Sequence, residues 1–110
     1  MDTRAYRLQA KTAKALAHPT RIAILEMLRG GARCVCEMEP ELEASQANIS
    51  QHLAALRDAN LVAGRREGMR IRYRATDERI FQVLDLLAVI RHDQLNQARR
   101  ALASLESVRA

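Results

Sequence analysis

Ser45-Gln46-Ala47-Asn48-Ile49-Ser50-Gln51-His52-Leu53-Ala54-Ala55-Leu56-Arg57 is the stretch that decides the fold of this chain. Ile49, Leu53 and Leu56 recur at helical spacing and share one side, while Asn48, Gln51 and Ala55 fall on the other. Ser45 suits the N-cap, because its hydroxyl accepts a backbone N–H that the first turn leaves unpaired. Asn60 supplies a residue able to take the left-handed conformation that ends a helix. Just upstream, Val35, Met38 and Leu42 repeat at three and four residues, which predicts a short helix from near Cys36 to near Glu43. Pro40 is compatible with that helix only near its start, where a missing N–H costs nothing. Two helices of about seven and about fifteen residues, joined by a couple of residues, predict a helix-turn-helix with the second as reader.

Downstream, Leu61 to Arg66 and Met69 to Arg74 flank Glu67-Gly68, and Ile71 and Tyr73 alternate with Arg70, Arg72 and Arg74, as in a two-stranded hairpin. Between Val62 and Arg74 lie five arginines and one acid, so this wing carries +4 of the chain's formal +5. Upstream, Leu8, Ala13 and Leu16 fit a first helix over Tyr6 to Leu16, ended by His18-Pro19. A second follows from about Thr20, with Ile22, Ile24, Leu25 and Leu28 inward and Gly30-Gly31 as its stop. From Glu78 to about Leu105, Ile80, Val83, Leu84, Leu87, Ile90, Leu95, Ala98, Leu102 and Leu105 recur at helical spacing. Such a helix is roughly 40 Å long, more than a domain this small can cover, so part of its apolar stripe calls for a second subunit. The expected fold is mainly α with a small β-hairpin, a winged helix-turn-helix of about five helices in one domain over residues 1–110.

The bulk numbers agree. A chain of 110 residues with 48% hydrophobic and 28% charged residues makes one modest core rather than a disordered segment. The surplus of 18 Lys+Arg over 13 Asp+Glu favours a polyanionic partner, nucleic acid before an anionic membrane surface. Met1 to Lys11 lacks the apolar stretch of a signal peptide, and Val83 to Ile90 is too short to span a bilayer. A cytoplasmic protein with no membrane partner is expected.

Reading DNA takes short polar side chains at a helix amino terminus and basic groups nearby for phosphates. Ser45, Gln46, Asn48, Gln51 and His52 supply the first; Arg65, Arg66, Arg70 and Arg72 supply the second, with Arg74 beside them. Taken singly, the polar face is a solvated surface and the arginines a charged strand edge that discourages aggregation. In the order short helix, polar-tipped helix and basic hairpin, they point to double-stranded DNA. His52 precedes Leu53 and lies partly inward, where a packing or capping contact competes with a base contact.

Ala17-His18-Pro19-Thr20-Arg21, Cys34-Val35-Cys36-Glu37-Met38, the reader stretch, and Gly68 followed by Arg72-Tyr73-Arg74 closely resemble the ArsR/SmtB metalloregulatory repressors. The resemblance covers nearly the whole chain. It implies a homodimer built from the first and last helices, binding an imperfect inverted repeat and released when an inducer binds. It also implies no enzymatic activity and no required cofactor. Sensors of this family carry a Cys-Val-Cys-Asp-Leu-Cys or Cys-Val-Cys-Asp-Leu box at the start of the third helix. Cys34 and Cys36 are thereby implied as ligands of a thiophilic inducer of the arsenite, cadmium or lead type, since soft sulfur donors hold such ions well.

This chain departs from the three-cysteine box, because Glu39 stands where its last cysteine would be. That leaves two thiolates with an oxygen from water, Glu39 or the partner chain, or ligands shared across the dimer. Residues two apart on a regular helix point about 200° apart, so both sulfurs reach one ion only where the backbone is not helical. Ion binding is therefore expected to unwind the helix start and strain the reader packed on it. One intervening residue is poor spacing for a structural disulfide, so free thiols are expected. His92 with Asp93 lacks the partners of a last-helix metal site, and His18 before Pro19 reads as structural. Two alternatives stand beside metal release: the same repressor switched by thiol oxidation or a persulfide, and a thiol enzyme or metal carrier. The second finds no phosphate loop, no general base beside the thiols and no Cys-x-x-Cys to support it.

Overall fold

The computed structural model describes residues 2–109. Helix α1 (Thr3–Leu16) begins three residues before the expected Tyr6, because Asp2 caps it by accepting the Arg4 N–H at 3.0 Å. His18-Pro19 both separates α1 from α2 (Pro19–Met27) and starts the latter. His18 Nδ1 accepts the Thr20 N–H at 3.1 Å, and Pro19 occupies the first turn, where its missing N–H is harmless. A short 3-10 turn (Leu28–Gly30) ends at Gly31, whose φ of 127° lies where side chains are strained.

A two-residue strand β1 (Arg33–Cys34) then leads directly into α3 (Val35–Leu42). Sequence reading did not anticipate this strand, since two residues carry no periodicity. It also placed Pro40 near the helix start, whereas Pro40 lies well inside α3. Lacking an N–H, it leaves the Cys36 carbonyl without its helical donor, a loss confined to an eight-residue helix. Glu43 turns the chain out of α3 with φ of 51°, and Ser45 caps α4 (Gln46–Asp58). Asn60 takes the left-handed conformation after α4, as expected.

The hairpin runs one residue later than predicted, as β2 (Val62–Glu67) and β3 (Arg70–Ala75). Its register pairs Glu67 with Arg70 and leaves Gly68-Met69 as the turn, with Gly68 at φ 64°. Strand β1 adds antiparallel to β3, so the sheet order is β1-β3-β2. Helix α5 (Arg79–Arg109) is 31 residues long, or roughly 46 Å at 1.5 Å per residue. At its start Asp77 accepts the Arg79 N–H at 2.8 Å and pairs with its guanidinium, and these contacts lower its pKa from 3.8 to about 2.

The core is one cluster in which Ile24, Leu25, Met38, Ile49, Leu53 and Leu56 from α2, α3 and α4 are almost fully buried. Three residues of α5, Ile80, Phe81 and Leu84, close it from below. Just beyond, Asp85 accepts from Arg29 at 2.9 Å, and further along α5 Leu86, Leu87, Val89, Ile90, Leu95, Leu102 and Leu105 are left exposed. Among the described residues no helix is long and apolar enough to cross a membrane.

Candidate nucleic-acid interface and cysteine pair

Helix α4 is seated by its apolar side on α2 and α3 and turns its first two turns outward. Ser45, Gln46, Asn48 and Gln51 are all exposed there. Ser45 Oγ accepts the Asn48 N–H at 3.1 Å, so this hydroxyl already holds the helix end. The polar tip is thus a firmly capped turn rather than a fraying one.

His52 sits apart from these. It is half-buried, its Nδ1 accepts from Arg21 Nε at 3.1 Å, and its ring lies 4.3 Å from that of His18. Burial, with His18 and Arg21 adding to it, pushes its pKa below the usual 6.5. The geometry therefore gives His52 the inward packing contact rather than a place on the exposed tip. Arg21, which sequence reading did not single out, is the residue that holds it, and its other bond reaches back to the Ala15 carbonyl at 3.5 Å.

On the wing, Arg65, Arg66, Arg70 and Arg74 are exposed and make no ion pair among the described residues. Arg72, expected beside them as a phosphate contact, is instead drawn back to the protein. Its Nη2 donates to the Ala32 carbonyl at 2.6 Å, and its guanidinium lies 3.6 Å from carboxylate oxygens of both Glu37 and Glu67.

The cysteines correct two expectations. Cys34 and Cys36 are joined by a disulfide, with Cα atoms 5.3 Å apart, and are not free thiols. One intervening residue closes a tight loop, and the 200° divergence holds only on a regular helix; neither describes a change of backbone between the two cysteines. Cys34 is extended, with φ −90° and ψ 164°, as the last residue of β1, whereas Cys36 lies in the first turn of α3. The strand-to-helix junction itself turns the two side chains together, so their convergence needs no unwinding of the helix. Cys34 is 3% exposed and Cys36 is open to solvent. A groove of about 270 Å³ runs from this pair past Gln46 and Ser50 of α4 to Met69, Arg70 and Tyr73 of the wing. Among the described residues no group of three or more His, Cys, Asp or Glu gathers as a metal site. The donor set within one chain is two sulfurs, which fits a soft ion only if its other positions are filled from outside.

Residues 18–63 match the model of the family described as "Bacterial regulatory protein, arsR family". An HTH-type transcriptional regulator of Mycobacterium tuberculosis, Rv0081, is 38% identical over 106 residues, covering 96% of this chain and 90% of its own. This chain belongs to the ArsR family of bacterial transcriptional regulators. The ArsR/SmtB resemblance seen in the sequence is thereby established. The M. tuberculosis repressor SmtB is 43% identical over 76 residues, spanning 68% of this ArsR-family chain and 56% of its own. The fold agrees as well. The crystal structure of Rv0081 superposes with a TM-score of 0.76 at 35% identity, covering 84% of this chain and 94% of that one. So does the solution structure of Mb0332 from Mycobacterium bovis, described as a homodimeric winged helix-turn-helix DNA-binding domain, with a TM-score of 0.76 at 31% identity and coverage of 84% and 86%.

Proposed function

We propose that this ArsR-family regulator is a homodimeric repressor that binds an operator in double-stranded DNA and lets go when the Cys34/Cys36 pair changes its chemical state. The observation that carries DNA binding is the capped, exposed tip of α4, with Ser45, Gln46, Asn48 and Gln51, beside Arg65, Arg66, Arg70 and Arg74 of the wing, which are exposed and make no ion pair among the described residues. Short polar groups at a helix end suit base edges, and flanking guanidiniums suit phosphates. Dimerisation is supported by the exposed apolar stripe of α5, which a second copy would bury, and by the homodimeric relative from M. bovis. A homodimer of this kind is not an enzyme, needs no resident cofactor and works in the cytoplasm beside the DNA.

The trigger in this reading is a thiophilic ion of the arsenite, cadmium or lead type held by the reduced Cys34 and Cys36. The two sulfurs converge at the root of α3, and α3 packs on the reader. A second reading is favoured by the disulfide itself: oxidation, in which the two thiols give up two protons and two electrons to a peroxide or polysulfide and join. Both readings are separated by fluorescence anisotropy on the protein's own promoter, with the reduced protein titrated in turn with arsenite, cadmium, lead, peroxide and polysulfide. Release by the ions alone supports the first, and release by oxidant that a thiol reverses supports the second. Either response must vanish in Cys34→Ser and Cys36→Ser. Failure of the protein to bind any duplex at moderate salt overturns the repressor reading altogether.

A further inference from the structure

Arg72 stands at the middle of β3, in register with Cys34 on β1 and with Arg65 on β2. Its guanidinium has three partners. It donates to the carbonyl of Ala32, two residues before Cys34, at 2.6 Å. It lies 3.6 Å from Glu37 Oε1 in the first turn of α3 and 3.6 Å from Glu67 Oε2 at the last residue before the wing turn. The same Glu37 oxygen accepts the Cys34 N–H at 3.2 Å, and the Cys34 side chain in turn accepts the Glu37 N–H, a reciprocal cap that closes the start of α3. A continuous set of contacts thus runs from the Cys34 sulfur through Glu37 and Arg72 to the tip of the wing.

The sulfur of Cys34 is part of that cap, so its chemical state enters the contacts at their origin. A reduced Cys34 sulfur is free to turn toward the Glu37 N–H, whereas a sulfur bonded to Cys36 or to an ion is held where that bond directs it and has fewer lone pairs to offer. Cys34 is buried, so the difference falls on the helix turn and Glu37 rather than on solvent. A guanidinium is a planar, rigid fork, and a shift of one partner moves its bonds to the others. Strand β1 is only two residues long, so little other pairing ties the cysteine segment to the wing.

We infer that Arg72 is a positioning residue that, with Glu37 and Glu67, couples the state of the Cys34/Cys36 pair to the placement of the wing. This rests on the reading of the cysteine pair as the trigger. The test measures operator affinity of the full chain reduced, disulfide-bonded, and reduced with cadmium, for wild type, Arg72→Lys and Glu37→Gln. The wild type is expected to change affinity between states by roughly 5- to 150-fold, the usual span of coupling between sites. In both variants that ratio should fall to about threefold or less, with the reduced Glu37→Gln protein keeping wild-type affinity within about threefold. Arg72→Lys retains the charge but not the fork, so a role on DNA phosphate would spare the ratio, and a ratio kept in both variants overturns the relay while leaving the trigger standing. A wild type equally tight in all three states overturns both. Independently of DNA, the amide signals of Glu67, Gly68 and Met69 should shift on oxidation in the wild type and stay in place in Glu37→Gln. Equal shifts in the two proteins would also refute the coupling.

Discussion

Ser45 is the position at which folding and DNA reading can be pulled apart. Its Oγ holds the Asn48 N–H at 3.1 Å at the exposed end of α4, so Ser45→Ala removes a cap and leaves no cavity. Loss of such a cap costs about 0.5–2 kcal/mol. For a domain of this size each kcal/mol is about 4–8 °C in Tm. Because the frayed turn carries Gln46 and Asn48, operator affinity should fall with it, by roughly 2- to 30-fold if the turn must re-form on DNA. Ser45→Asp separates the two effects. A carboxylate caps as well as a hydroxyl and is favoured at a helix amino terminus, so stability should return to wild type or rise slightly. The same charge would face the phosphates, at about 1–4 kcal/mol for a contact near 4 Å, and should weaken binding by roughly 5- to 1,000-fold. Urea unfolding and anisotropy titrations of the three proteins read both quantities. A Ser45→Asp protein that binds as tightly as the wild type would refute the placement of this helix end against DNA.

Three further outcomes follow from individual contacts. A Cβ on Gly64 would meet Ile71 Cγ2 at 2.9 Å and the Tyr73 ring at 3.1 Å, so Gly64→Ala should cost about 1–3 kcal/mol in thermal or urea unfolding; no loss would mean that Ile71, 44% exposed, simply swings aside. Burial, with His18 and Arg21 near, keeps His52 neutral below the pH at which the unfolded chain takes a proton. Stability should therefore be full above about pH 6.5 and fall as pH drops from there toward the lower folded value, and His52→Asn should flatten that slope in pH-dependent melts. On the wing, Arg66→Gln should reduce the slope of log affinity against log salt by about one per protomer, whereas Arg72→Gln should leave the slope unchanged. Equal slopes for the two variants would contradict the division of the arginines into free and engaged.

The elements were legible where a repeat ran long enough to declare itself. Ile49, Leu53 and Leu56 are all buried on α4, and the stripe of α5 continues past Leu84 with no core to meet it, as its length foretold. Missed features were those set by one or two residues. Strand β1 has no periodicity to detect, and Asp2 extends α1 through a single bond. The disulfide escapes the sequence for a related reason: one intervening residue looks too tight a loop to close, but Cys34 ends a strand and Cys36 lies in the first turn of a helix, and that junction brings the two sulfurs together.

Charge was legible in total but not in allocation. The sequence places five arginines and one acid between Val62 and Arg74 and invites treating all five alike. Yet an arginine on a strand is free or engaged according to what the neighbouring strand and helix bring opposite it. Arg72 meets Glu67 across the hairpin and Glu37 from α3, thirty-five positions away in sequence, and two carboxylates around one guanidinium leave that spot with no surplus positive charge. The exposed field of the wing therefore comes from Arg65, Arg66, Arg70 and Arg74, four charges on the strands flanking the turn. Arg70 also lines the groove shared by Cys34, Cys36, Gln46 and Ser50, so one of those four charges borders the cysteine pair, whereas Arg72, paired to Cys34 in register, contributes none.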